Sequence, residues 1–232
     1  MGSAKRLTAV LFDFDGTLVD TEPYWMQGEI ELLGQWGVPW DLERASQLCG
    51  TSREYSQGVL LDQMASHGVD VEAIDADEFY GRLCQMVIDQ MGLFGAKWMP
   101  GVKALIDDLA EHGLPCAVVS ASPPEVLAAG LADFPPGVIS VVVDGQMVRQ
   151  SKPAPDGYLL AAARLGVEAA DCVVIEDTVS GAAAGRAAGA VVVAVPGQHH
   201  LPDEPGQVVL ASLDGVDTAY LSQLYAEVRA AL

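Results

Sequence analysis

Two carboxylates stand close together in the sequence, directly after an apolar segment near its start. Asp13 and Asp15 occur in the motif D-F-D-G-T and are two positions apart. Side chains at i and i+2 of a strand point to the same side, so the spacing predicts that both carboxylates begin on one side of the chain. Such a pair can hold Mg²⁺ through hard oxygen ligands. It can also carry out phosphoryl transfer, in which one aspartate attacks phosphorus while its neighbour moves protons.

Other polar residues follow three later apolar segments, where buried strands would end. They are Ser120 with Ser122, Lys152, and the pair Glu176-Asp177. Taken singly, each has an ordinary structural explanation, as a solvated loop residue or a helix cap. In a parallel sheet, however, the carboxyl ends of the strands share one edge, so these side chains are predicted to meet in one crevice. A metal held there beside a lysine would offset the charge of a transferring phosphoryl group.

The segments that position these residues are short, apolar and rich in β-branched side chains. The sequence predicts buried strands at 7–12, 116–119, 138–143, 172–175 and 190–195, with a further candidate at 208–211. Helical patterns lie between or after them, at 102–112, 158–165, 179–188 and 218–232. Strands that are apolar on both faces and alternate with helices are typical of a doubly wound, parallel α/β sheet.

Residues 20–97 have a different pattern. Their apolar side chains are spaced as in helices, and no strand-like segment interrupts them. The segment is also too long for an ordinary loop. We therefore predict a small helical domain at 20–97, inserted into an α/β core formed by residues 1–19 and 98–232.

The overall charge restricts the partners to be expected. The chain has 12 Lys and Arg against 32 Asp and Glu, a net charge of −20, and 50% of its residues are hydrophobic. This composition suits a packed core, and its charge repels nucleic acid and anionic lipid surfaces. The four cysteines form no C-x-x-C pair, which argues against a zinc site or a disulfide framework. We expect a soluble cytoplasmic protein, a monomer or a weak homodimer, that binds a small molecule.

Together the motifs resemble those of the haloacid dehalogenase-like hydrolases over roughly residues 7–197. That family has D-x-D-G-T after its first strand, then a serine or threonine, a lysine and a late acidic pair. The sequence resembles most the subgroup of sugar-phosphate phosphatases and β-phosphoglucomutases, whose helical cap follows the first motif. The resemblance implies a Rossmann-like core, residues 20–97 as the cap, and Mg²⁺ as the cofactor.

The resemblance also implies a role for each matching residue. Asp13 would be the nucleophile and a metal ligand. Asp15 would be the general acid and base, with its backbone carbonyl also on the metal. Ser120 and Lys152 would hold the phosphoryl oxygens.

The late acidic pair would complete the metal site. The resemblance implies that Asp177 ligates Mg²⁺, with Glu176 beside it or acting through water. An aspartate at 13 together with Asp15 favours phosphoryl over haloalkyl chemistry within the family. The other candidate substrate contacts are Gly16, Thr17, Ala121 and Ser122 in the core and Trp25 and Arg53 in the cap. Trp25 could instead pack at the hinge of the cap, as adjacent aromatic residues at a helix start often do.

The choice between a phosphatase and a mutase depends on the cap. Mutases have a histidine ten residues after the second motif aspartate, where this chain has Trp25. The segment G-T-S-R-E at 50–54 resembles a mutase loop whose arginine holds the distal phosphate. Arg53 could equally pair with Glu54 or Glu43 on the surface. The missing histidine carries more weight, so we predict a Mg²⁺-dependent phosphatase of a sugar or polyol phosphate.

Two alternatives stay open at this point. One is a β-phosphoglucomutase-type isomerase that uses the same machinery. The other is a receiver-like signalling module, since receivers also combine acids, a hydroxyl, a lysine and Mg²⁺ on a doubly wound sheet. Receivers are much shorter than 232 residues, have no inserted cap and carry their acceptor aspartate on a middle strand, so we rank them last.

Overall fold

Parallel strands form a six-stranded sheet in the part of the chain that the computed structural model describes, which is residues 6–49, 51–197 and 201–232. The strands are β1 (Ala9–Phe12), β2 (Cys116–Val119), β3 (Ile139–Val143), β4 (Cys172–Glu176), β5 (Val191–Ala194) and β6 (Gln207–Val209). Their order across the sheet is β3-β2-β1-β4-β5-β6. The predicted doubly wound α/β fold is confirmed, and each predicted strand is present with small shifts at its ends.

The register of the sheet brings the carboxyl ends of three central strands level. Phe12 at the end of β1 pairs with Val118 of β2 and with Ile175 of β4. Strands β1, β2, β4 and β5 are buried at every position, as apolar strands covered on both faces should be. The residues that follow β1, β2 and β4 therefore leave the sheet at one edge.

Helices connect and flank the strands. In chain order they are α1 (Glu22–Gly34), α2 (Leu42–Ser46), α3 (Arg53–Ser66), α4 (Ala76–Phe94), α5 (Val102–Glu111), α6 (Pro124–Gly130), α7 (Asp156–Leu165), α8 (Val179–Ala187) and α9 (Thr218–Ala231). Within the described ranges, none of them combines the length and the hydrophobicity that crossing a lipid bilayer would require.

The small residues of α8 let this helix lie close to the sheet. A Cβ atom at Gly185 would come within 2.9 Å of the side chains of Val174 and Val192. The helix begins at a capping residue, because the Thr178 hydroxyl accepts a hydrogen bond of 3.0 Å from the Gly181 amide. Helix α8 therefore packs closely on β4 and β5.

The chain divides into two compact units. One contains the sheet and comprises Met1–Val19, Trp98–Ser122 and Asp133–Leu232, and the other is helical and comprises Asp20–Lys97 and Pro123–Ala132. The helical unit has its own apolar core, which includes Leu33, Leu60, Phe79 and Leu83.

Helix α6 is a feature that the sequence analysis missed. It belongs to the helical unit, although its residues were assigned to the core from the sequence. Val126 of α6 is fully buried in a cluster with Val87 and Met91 of α4. The helix has only 7 residues, which is too few for helical periodicity to stand out.

Candidate active site

The site is built around a lysine between two buried carboxylates. Asp13 follows β1, and its amide donates a hydrogen bond of 2.9 Å to the Ile175 carbonyl of β4. The Lys152 ammonium donates to Asp13 Oδ1 and, at 3.0 Å, to the Val119 carbonyl. It also lies 2.6 Å from Glu176 Oε1. Residues from three strand ends and one loop thus meet where the sequence predicted.

Burial and charge act together on these groups. Desolvation raises the pKa of Asp13 well above its ordinary value, and the neighbouring Glu176 adds to this rise while Lys152 opposes it. For Lys152, burial by itself would lower the pKa, but the carboxylates of Asp13 and Glu176 outweigh burial and the net pKa is raised. The lysine is therefore a fixed cation of the site at neutral pH.

Glu176 is completely buried and accepts hydrogen bonds through both oxygens. Oε1 accepts from Lys152 and from the Tyr158 hydroxyl at 2.7 Å. Oε2 accepts from the Thr178 hydroxyl at 3.0 Å and from the amide of Asp177 at 3.2 Å. A Cβ atom at Gly181 would lie 1.7 Å from Oε1. The glutamate is thus held in one position from several sides.

Tyr158 is a residue of the site that sequence reasoning assigned only to the apolar face of a helix. It is fully buried in α7, and its ring centroid lies 5.4 Å from the Lys152 ammonium. The available signal was its hydroxyl, since a buried tyrosine needs a hydrogen-bond partner for that group. Its partner could not be identified from the sequence.

Three carboxylates form a set that could hold a metal ion. Ligand oxygens of Asp13, Glu176 and Asp177 lie within 4.8 Å of one another. Burial, and then the charge of Glu176, raise the pKa of Asp177 to about 7, so the carboxylates repel one another when they are ionised. A set of oxygen donors with excess negative charge fits a hard divalent cation such as Mg²⁺.

The turn after Asp13 requires a glycine for two separate reasons. Gly16 has a φ of 79°, a conformation that residues with a Cβ atom avoid. A Cβ atom there would also lie 2.4 Å from Asp177 Oδ2. The turn places Thr17 so that its hydroxyl donates a hydrogen bond of 3.2 Å to Asp177 Oδ1.

The side chain of Asp15 has different partners from that of Asp13. Strand β1 ends at Phe12, so strand alternation does not extend to both aspartates. The Asp15 side chain is not in the three-carboxylate set. Its Oδ2 atom instead accepts hydrogen bonds from the hydroxyls of Ser120 at 2.9 Å and Ser122 at 2.6 Å.

The backbone between these serines borders a small cavity. Ala121 and Ser120 line this cavity of about 20 Å³, together with Lys152 and Tyr158. Gly145 faces the same backbone, because a Cβ atom there would lie 3.4 Å from the Ala121 carbonyl oxygen. The predicted contacts Ala121 and Ser120 therefore adjoin the lysine.

The predicted cap residues belong to the helical unit. Trp25 stacks on Tyr80 with ring centroids 6.1 Å apart, and the Arg53 guanidinium lies 4.3 Å from the centroid of the same tyrosine ring. Arg53 also pairs with Asp77, so its carboxylate partner is neither Glu54 nor Glu43. The first residue of the predicted mutase-like loop, at position 50, lies outside the described residues.

The sequence matches the model of one protein family and several curated proteins. The model of the haloacid dehalogenase-like hydrolase family matches residues 7–189. The chain is 34% identical over 222 residues to the bifunctional riboflavin kinase/FMN phosphatase of Arabidopsis thaliana. The aligned region covers 91% of this chain but 55% of that protein. It thus spans about half of that relative's length.

Two further relatives match over most of their own length. Fructose-1-phosphate phosphatase YqaB of Escherichia coli K12 is 32% identical over 191 residues, which is 80% of this chain and 94% of that protein. The β-phosphoglucomutase of Bacillus subtilis 168 is 31% identical over 196 residues, which is 82% of this chain and 83% of that protein.

A solved structure has a similar fold. The crystal structure of CbbY from Rhodobacter sphaeroides in complex with phosphate superposes with a TM-score of 0.79 at 25% identity. The match covers 93% of this chain and 99% of that one.

Proposed function

The chain belongs to the haloacid dehalogenase-like hydrolase family, and from that premise we propose that it is a Mg²⁺-dependent phosphatase of a sugar or polyol phosphate. The observation that carries this proposal is the buried cluster of Asp13, Lys152, Glu176 and Asp177. It combines a carboxylate nucleophile, a fixed cation and a set of metal ligands at one sheet edge. Phosphoryl transfer needs these three components together.

The proposed reaction has two steps. A carboxylate oxygen of Asp13 attacks phosphorus, the bond from phosphorus to the leaving oxygen breaks, and Asp15 gives its proton to that oxygen. A water molecule then attacks phosphorus of the aspartyl phosphate, its proton returns to Asp15, and inorganic phosphate leaves with Asp13 restored. Lys152 stabilises negative charge on the phosphoryl group throughout. A divalent cation held by Asp13 and Asp177, next to Glu176, would further reduce the repulsion between carboxylates and phosphate.

The substrate class is proposed from the relatives. One of them is named as a fructose-1-phosphate phosphatase and another as a β-phosphoglucomutase, so the shared chemistry is that of phosphorylated sugars. We assign the choice of substrate to the helical unit, which acts as the cap of this subgroup. Trp25 in this unit is the candidate contact for the apolar face of a sugar.

A mutase is the second candidate, favoured by the β-phosphoglucomutase relative and by Arg53. Two observations favour the phosphatase over it. Trp25 occupies the position of the mutase histidine, and Arg53 is already paired with Asp77 and stacked on Tyr80. The guanidinium of an arginine with these partners has fewer N–H donors left to bind a distal phosphate.

The test is phosphate release from a panel of sugar, polyol and nucleoside monophosphates, with Mg²⁺ and with EDTA. We expect Mg²⁺-dependent release that falls by at least about 10³-fold in Asp13→Asn, because the nucleophile is lost. Asp107→Asn is the matched control, since this exposed aspartate pairs with Lys103 on α5.

Circular dichroism would verify that both variants fold. Release that is equal in wild type and Asp13→Asn would refute the aspartyl-phosphate mechanism. Conversion of glucose 1-phosphate to glucose 6-phosphate with little release of free phosphate would contradict the phosphatase proposal and support the mutase.

A further inference from the structure

Two serine hydroxyls converge on one oxygen of Asp15. Ser122 Oγ donates to Asp15 Oδ2 at 2.6 Å, and Ser120 Oγ donates to the same atom at 2.9 Å. The Ser122 amide donates to Ser120 Oγ at 2.9 Å. Ser120 is buried, with 4% of its surface exposed. The three residues are therefore joined by a connected set of hydrogen bonds.

Each of the two serine hydroxyls has a single proton, and both protons are used within this set of hydrogen bonds. A serine hydroxyl has one proton to donate, and both serines donate theirs to the same oxygen of Asp15, Oδ2. The phosphoryl-binding role implied for Ser120, and the substrate contact predicted for Ser122, stay predictions, while both hydroxyl protons point to Asp15.

The chain after Ser122 restricts the backbone conformation of this residue. Ser122 is followed by Pro123 and Pro124. The ring of a proline restricts the residue before it to extended conformations, and these prolines open helix α6. The Ser122 hydroxyl is therefore carried by a backbone of restricted conformation, which suits a residue that orients another side chain.

We propose that Ser122, assisted by Ser120, is a positioning residue that orients the carboxyl group of Asp15 for proton transfer to the leaving oxygen. The inference rests on the proposed phosphatase reaction. In its first step the Asp15 proton passes to the oxygen whose bond to phosphorus breaks, and the electron pair of that bond stays on the oxygen. A misoriented Asp15 delivers this proton poorly.

The proposal predicts that the effect depends on the leaving group. A sugar phosphate releases a strongly basic alkoxide, which needs the proton in the transition state. A 4-nitrophenyl phosphate releases a stable phenolate, which needs no proton. A hydroxyl that instead binds the phosphoryl group would matter equally for both substrates, because they share that group.

The experiment compares kcat/KM of wild type, Ser122→Ala and Ser122→Thr on the best sugar phosphate and on 4-nitrophenyl phosphate, both with Mg²⁺. For Ser122→Ala we expect a loss of about 10²-fold on the sugar phosphate and less than about 3-fold on the aryl phosphate. Ser122→Thr keeps a hydroxyl and should restore most of the activity. Ser140→Ala, on the exposed side of β3, is the control for a serine outside the site.

Inhibition by inorganic phosphate supplies a reading that is independent of proton transfer. We expect the inhibition constant to be unchanged in Ser122→Ala. Equal losses on the two substrates with weaker phosphate inhibition would overturn the proposal in favour of phosphate binding, and full activity in Ser122→Ala would overturn it outright. If wild type itself shows no Mg²⁺-dependent release, the proposed function fails and this inference fails with it. If wild type releases phosphate but Ser122→Ala is fully active, only this inference fails.

Discussion

The hydroxyl of Tyr158 donates a hydrogen bond to a carboxylate in the interior of the protein. Its partner is Glu176, which has no exposed surface and also pairs with Lys152. Burial first, and then the charge of Glu176, raise the pKa of Tyr158 well above its ordinary value, so the phenol stays protonated and remains a donor. A single hydroxyl thus stabilises a carboxylate that is disfavoured in the interior.

Tyr158→Phe tests this contribution. Because a hydrogen bond to a buried charge is lost, we expect the free energy of unfolding to fall by about 1.5 to 3 kcal/mol. Urea denaturation in the presence of EDTA would measure it. Tyr220→Phe on α9 changes an exposed tyrosine and should stay within about 0.5 kcal/mol of wild type. A Tyr158→Phe protein as stable as the Tyr220→Phe protein would contradict the argument.

Among the elements, α1 buries an acidic residue within its apolar face. Glu29 is 4% exposed and lies on the face of α1 that also buries Leu32 and Leu33. Its Oε2 atom accepts a hydrogen bond of 3.0 Å from Trp40 Nε1. Burial raises the pKa of Glu29 from 4.5 to about 7, although the bond from Trp40 acts in the opposite direction.

This pKa gives the helical unit a dependence on pH. The folded state binds the Glu29 proton more tightly than the unfolded state, so its contribution is fully present below pH 4.5 and is lost as pH rises through about 7. Glu29→Gln is neutral at every pH. We therefore expect the stability of the variant relative to wild type to increase over this window, by at most about 3 kcal/mol.

Denaturation at a series of pH values would measure this difference. Glu31→Gln is the matched control, because Glu31 is an exposed residue of the same helix. The change with pH in Glu29→Gln should exceed the change in Glu31→Gln. An equal change in the two variants would show that Glu29 does not titrate in this window.

For the molecule as a whole, the net charge of −20 predicts that cation binding affects the stability of the folded state. Asp13, Glu176 and Asp177 bring carboxylates together in the interior, where repulsion costs folding energy. Mg²⁺ at 100 times its Kd would add about 2.7 kcal/mol to the folded state, which raises Tm by about 5 to 10 °C for a protein of this size. Sodium chloride at equal ionic strength controls for general screening.

The variant Asp177→Asn should separate the effect of metal binding on stability from the effect of carboxylate repulsion. Because one of three clustered carboxylates is removed, we expect the metal-free variant to melt above metal-free wild type, and to show no further rise with Mg²⁺. Asp107→Asn should keep the wild-type response. A full Mg²⁺ shift in Asp177→Asn would show that the cation binds elsewhere.

The sequence by itself determined the fold class and the set of motifs. Strands such as β2 and β5 are short apolar runs that are buried on both faces, and this property is local, so it is visible without the fold. The order of the motifs after successive strands was also enough to predict that Asp13, Lys152 and the pair Glu176-Asp177 meet. Whether each residue has the role proposed for it stays a prediction until the variants are measured.

Only the tertiary structure decided the partners. Asp15 and Ser122 are 107 positions apart, and they meet because the register sets the ends of β1 and β2 level. The same reason applies to Tyr158, whose hydroxyl finds Glu176 only once α7 packs on the sheet. Hydrophobic periodicity is a short-range signal, whereas a hydrogen bond needs its two atoms within about 3 Å. That precision comes from the packing of elements distant in the chain.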